Sequence, residues 1–88
     1  MYLHLGSDFV ITFDNIVAVC DIDRATVSKD TKDFLSSAEK KGELTNLSTD
    51  LPKSFVVCSK SKKQNVFITQ ISPQTLLKRT VQNRGDTV

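Results

Sequence analysis

The 88-residue chain predicts a single small α+β domain in the order βββαββα, a sheet carrying two helices. Three observations lead there: short runs of period-two hydrophobic alternation near the N-terminus, an amphipathic stretch bounded by Ser28 and Gly42, and a β-branched hairpin followed by Ser72-Pro73. Tyr2–Leu5 sets Leu3 and Leu5 against Tyr2 and His4, and Gly6-Ser7-Asp8 breaks the run as a turn. Phe9–Phe13 repeats the alternation with Phe9, Ile11 and Phe13 on one face, and Asp14-Asn15 supplies the next turn. The third run, Ile16–Ile22, is apolar on both faces as far as Cys20, the pattern of a central strand covered on both sides by a helix or another subunit.

Past Asp21 the period lengthens. Ser28 is placed to cap a helix whose inward stripe is Thr31, Phe34, Leu35 and Ala38. Asp30 and Asp33 suit its first turns, Lys40 and Lys41 its C-terminal end, and Gly42 its stop. Residues 43–52 read as a loop, with a short extended piece near Leu44–Leu47. Ser54–Cys58 and Asn65–Ile71 form a hairpin joined by Ser59-Lys60-Ser61-Lys62-Lys63-Gln64. Ser72-Pro73 then opens a helix to about Val81, with Ile71 stapled on Leu76 and the apolar positions Leu76, Leu77, Thr80 and Val81 docking on the sheet. The domain is assigned to residues 1–81, and 82–88 is expected to be a frayed tail.

A domain of this size hides only roughly 60–65% of the surface of its unfolded chain, so stability is marginal and disulfides, a metal or oligomerisation commonly make up the difference. Cys20 and Cys58 lie inside apolar runs, with no basic and apolar leader in Met1–Gly6, which predicts reduced, buried thiols in the cytoplasm. The single histidine, His4, and the isolated cysteines offer no ligand spacing for zinc, and no cofactor is predicted. No apolar stretch approaches the ~20 residues of a membrane helix. Oligomerisation is the remaining route.

Catalysis finds little support. His4 on an alternating strand suits a surface position better than a general base, Asp21 and Asp23 lack the further oxygens of a cation site, and the three glycines are too scattered for a phosphate loop. No enzyme is predicted. Asn46-Leu47-Ser48 and Arg84-Gly85-Asp86 match a glycosylation acceptor and an adhesive tripeptide by pattern alone. Cys20 and Cys58 would form a redox pair only if their strands were neighbours, and core thiols are the plainer reading.

Charge carries more. Residues 1–50 hold nine acids against five bases, −4, whereas residues 51–88 hold seven bases against Asp86 alone, +6. Clustered lysine and arginine attract polyanions even when the whole molecule is near neutral. Lys53, the loop lysines Lys60, Lys62 and Lys63, and Lys78 with Arg79 are therefore the expected contacts to nucleic-acid phosphates. No aromatic side chains interleave with them and only one of the six is an arginine, so backbone contact is favoured over base reading.

Tyr2-Leu3-His4-Leu5-Gly6, Asp8-Phe9-Val10, Asn15–Val19, the helix from Ser28 through Phe34-Leu35, Pro52–Val57, and Ser72-Pro73 with Thr75-Leu76 and Lys78-Arg79 together resemble the RemA/RemB family of extracellular matrix regulatory proteins, closer to the RemB-like branch. The resemblance spans about residues 2–81. It implies a bacterial, cytoplasmic, DNA-binding regulator of biofilm-matrix genes that assembles into a homo-oligomer, a ring in the RemA branch. Double-stranded DNA and sister subunits are the implied partners. The chain departs from the RemA pattern where Thr49-Asp50-Leu51-Pro52-Lys53 stands in place of an arginine run, and where Asn15 stands for an arginine. Each such change removes a phosphate contact. The alternative reading is an assembly or protein-interaction module that has lost DNA binding, its acidic and basic surfaces pairing head to tail.

Overall fold

The computed structural model describes residues 2–5, 9–22 and 28–86. Its elements are β1 (Tyr2–His4), β2 (Val10–Thr12), a 3-10 turn (Phe13–Asn15), β3 (Ile16–Asp21), α1 (Lys29–Lys40), β4 (Leu44–Asn46), β5 (Ser54–Lys60), β6 (Lys63–Thr69) and α2 (Pro73–Asp86). The predicted turn at Gly6-Ser7-Asp8, the residue Asp23, Thr87 and Val88 lie outside the described residues, as do the side chains of residues 80–86. β1 and β2 pair as a small antiparallel ribbon, and the other strands form a four-stranded sheet of order β3-β5-β6-β4. Among the described residues, β4 and β6 are the only hydrogen-bonded strand neighbours that run parallel.

The α+β class and the helix positions agree with the sequence. Ser28 occupies the N-cap of α1 without a side-chain cap bond, its carbonyl instead accepting from the Lys32 N–H. The C-terminus closes as anticipated: Gly42, at φ 73°, donates to the Glu39 carbonyl, and the Glu43 N–H donates to that of Ala38. Ser72 caps α2 by accepting the Thr75 N–H at 3.2 Å, and Ile71 packs against the core cluster that holds Leu76. α2 continues past Val81, where the sequence predicts its end, to Asp86.

Three corrections concern the sheet. The extended piece after Gly42 is a true strand, β4, lying parallel to β6 with Leu44 beside Val66. The hairpin strands are longer and the turn tighter than the sequence predicts, because Ser59, Lys60, Lys63 and Gln64 join the ladder and only Ser61-Lys62 remain as the turn. The third correction is to β3, which is an edge strand and not a central one. Its two-faced apolar pattern comes from a bulge between Ile16 and Ala18. Ile16 packs on one face of the sheet, whereas Ala18, Cys20 and Ile22 pack on the other.

The strands covered on both sides are β5 and β6. Val56, Cys58 and Phe67 meet Leu3, Leu5, Ile11 and Leu76 in a core beneath the ribbon and α2. Phe55, Val57 and Val66 meet Ala38, with Phe34 and Leu35, in a second core beneath α1. Thr69 fastens the ribbon to the sheet: fully buried, its hydroxyl donates to the Leu5 carbonyl at 2.6 Å and accepts the Ile71 N–H at 3.2 Å.

Thr69→Val keeps the shape but strands the Leu5 carbonyl, so it should destabilise the fold by about 1–3 kcal/mol in chemical denaturation. At the hairpin tip Ser61 and Lys62 hold left-handed φ values of 51° and 67° without being glycine. Lys62→Gly relieves that conformation, and after the greater unfolded-state entropy of glycine is deducted it should stabilise by about 0.5–1 kcal/mol. A rise of a few degrees in thermal midpoint would show it.

Candidate nucleic-acid interface

The basic residues singled out by sequence do not form one patch. Lys60 and Lys63 are direct cross-strand partners at the tip of the β5–β6 hairpin, with Lys62 in the turn between them, and all three are exposed. Like charges directly opposite one another on a ladder repel, so this pairing costs stability that an anion would recover. Lys53 lies beyond the other end of β5, roughly 23 Å away at about 3.3 Å per residue. Its backbone is pinned there, the N–H donating to the Thr69 carbonyl and the carbonyl accepting from Ile22, while its side chain is exposed.

Lys78 is exposed on α2, which starts from the Lys53 end of the hairpin, where the Ser54 hydroxyl donates to the Ile71 carbonyl at 2.7 Å. Arg79 is half-buried and its Nη1 donates to the His4 carbonyl at 2.9 Å, which ties α2 to β1. One donor of the arginine expected on phosphate is thus engaged within the fold. His4 takes part through its backbone.

The structure adds a lysine that the sequence reading assigned only to the helix dipole. Lys41, Gly42 and Glu43 line one open depression with Lys62, Lys63, Gln64 and Asn65. The turn at Gly42 brings the end of α1 down beside the hairpin tip, and Gln64 Nε2 donates to Glu43 Oε1 at 3.3 Å across it. Lys41 belongs to the acidic half of the sequence, so the charge division along the chain is not a division of the surface.

The Thr49–Lys53 loop is tied to the residue that follows β6: the Thr49 N–H and hydroxyl both donate to Gln70 Oε1 at 3.0 Å. Leu51 stands out from it, 78% exposed. Among the described residues no group of three or more His, Cys, Asp or Glu side chains is arranged for a metal ion. No helix there is long and apolar enough to cross a membrane.

The cysteines fall on neighbouring strands but not together. Cys20 stands opposite Phe55 and packs under α1, while Cys58 stands opposite Ile16 in the core under the ribbon. Burial pushes both thiols above their ordinary pKa. A folded-state value raised in this way favours the fold below the ordinary thiol pKa, and the contribution is lost as pH climbs through the raised value. Alkylation of buried Cys58 followed by mass spectrometry at neutral pH should accordingly be slow in the folded protein and fast in denaturant.

Residues 2–80 match the family described as RemA-like, extracellular matrix regulatory protein A-like. The chain is also similar to extracellular matrix regulatory protein B of Bacillus subtilis (strain 168), 35% identical over 79 residues that cover 90% of this chain and 89% of that protein.

Proposed function

The chain belongs to the RemA/RemB family of extracellular matrix regulatory proteins, on its RemB-like branch, and from that premise we propose that it is a noncatalytic, oligomeric, cytoplasmic regulator that binds duplex DNA through its phosphate backbone. The observation that carries the reading is the hairpin tip. A lysine in a left-handed turn position, flanked by two lysines in register, is a costly arrangement whose repulsion a polyanion relieves. Lys41 extends the same positive surface, and Lys53 and Lys78 supply outlying charges.

Such contacts fix a protein on DNA without reading sequence. With a single arginine among the six predicted contacts, and that one bonded to the His4 carbonyl, bidentate guanine reading has little to use. Asn15 and the Thr49–Lys53 loop favour a second reading, an assembly module of the same fold without DNA binding.

Fluorescence anisotropy with duplex DNA at two salt concentrations separates the two. Binding that weakens steeply with salt supports the first, while no binding at low salt, or binding indifferent to salt, sinks it. The triple variant Lys60→Glu, Lys62→Glu, Lys63→Glu should weaken unrelated sequences alike and flatten the log–log salt slope by roughly 2.7 per bound subunit.

A further inference from the structure

The depression between the end of α1 and the hairpin tip has a volume of about 450 Å³, within the roughly 300–1,000 Å³ of small-molecule sites. Its lining is polar, and Lys41, Lys62 and Lys63 bring three exposed ammonium side chains to it. A duplex offers a long convex backbone, which meets the projecting tip of the hairpin before it meets the recess beside it. The recess suits a compact anion that carries several phosphates on one short chain.

A backbone donor faces the same place. The Val66 N–H leaves the outer border of β6 to reach the Glu43 carbonyl at 2.9 Å. Successive amides of a strand point to opposite borders, so the Gln64 N–H, two residues earlier on β6, points out of that same border. The ladder with β4 begins only at Leu44 and Val66, and the border at Gln64 gives onto the depression instead. Across from it a Cβ added at Gly42 would meet nothing within 4 Å, so that wall is open backbone. The end of α1 has a dipole that opposes anions, but its carbonyls are already taken: those of Ser37, Ala38 and Glu39 accept the N–H groups of Lys41, Glu43 and Gly42.

Glu43 decides which anion fits. It is the only acid lining the depression among the described residues, and it is half-buried, with Oε1 accepting Gln64 Nε2 at 3.3 Å. A carboxylate among three lysines works against a bare phosphate chain, because like charges repel. Its second oxygen suits a pair of sugar hydroxyls, the role an acidic side chain takes toward ribose in dinucleotide sites. The exposed Asn65 carboxamide adds a donor and an acceptor for the edge of a base.

We propose that the depression is a nucleotide site, with Lys41, Lys62, Lys63 and the Gln64 N–H on the phosphates and Glu43 on the ribose, and that a bound nucleoside polyphosphate displaces DNA from the hairpin tip. The nucleotide site stands on the depression alone. The displacement rests on the DNA reading above, because Lys62 and Lys63 serve both ligands.

Isothermal titration calorimetry on the full chain tests it, with adenosine and guanosine 5′-triphosphates in magnesium-free buffer and inorganic tripolyphosphate for comparison. At least one nucleotide should bind once per chain and more tightly than tripolyphosphate. Lys41→Ala and Lys63→Ala should each weaken it about tenfold, the loss of one charge-assisted contact, with unchanged circular dichroism. Lys32→Ala removes the same charge from an exposed position in the first turn of α1 and should leave the affinity as it was. Glu43→Gln should weaken the nucleotide yet strengthen tripolyphosphate, a reversal that a damaged fold does not produce. Failure of both nucleotides to bind, tripolyphosphate as tight as the nucleotide, or an equal loss in Lys32→Ala overturns the site. Anisotropy with labelled duplex DNA then separates the two readings: DNA binding without nucleotide binding overturns only the nucleotide site, and nucleotide binding without DNA binding overturns only the DNA reading. Two ligands that bind without competing overturn the displacement.

Discussion

The structure depends on one constraint: β5 and β6 must be covered on both faces at once. Ser54–Cys58 is buried without interruption, alternate residues serving opposite cores, so neither core can be removed without exposing the other side of the same strands. An 88-residue chain cannot enclose one large core, and it solves the problem by sharing its central hairpin between two thin ones. α1 supplies one cover. The other is a composite of the β1–β2 ribbon and α2, elements from opposite ends of the sequence.

That arrangement explains why the fold was largely legible. Period-two alternation in Tyr2–Leu5 and Phe9–Phe13, the Gly42 stop and the Ser72-Pro73 start are local signals, and each names a local structure that tertiary packing left alone. β3 was misread because a bulge imitates two-faced burial: a single inserted residue swaps the face of everything after it, and the sequence gives no sign of the swap. β4 was only half seen for a different reason. Its three residues have no alternation long enough to register, and they become a strand because the turn at Gly42 delivers them to the free side of β6.

The candidate site was legible as a list and not as a surface. Net charge by segment found Lys60, Lys62 and Lys63 correctly as neighbours, since a hairpin tip keeps sequence neighbours together. It grouped Lys53 with them although β5 carries it to the far end, and it missed Lys41, whose proximity to Lys62 and Lys63 arises from the path of α1 into β4. Arg79 shows the other limit. A guanidinium offers five donors, and one of these serves the His4 carbonyl, a partner 75 residues away that no local pattern announces.

The bond from Thr69 to the Leu5 carbonyl joins positions 64 apart. During synthesis the first strand therefore leaves the ribosome long before its anchor exists, and Leu3 and Leu5 have no permanent shelter until β6 has been made. Loop-closure entropy must be met before such a contact repays it, which makes docking of the N-terminal ribbon a late event and the folding of this small domain slower than its length alone would suggest. In the interval the nascent chain presents its most hydrophobic N-terminal segments to whatever chaperone or sister chain is nearest.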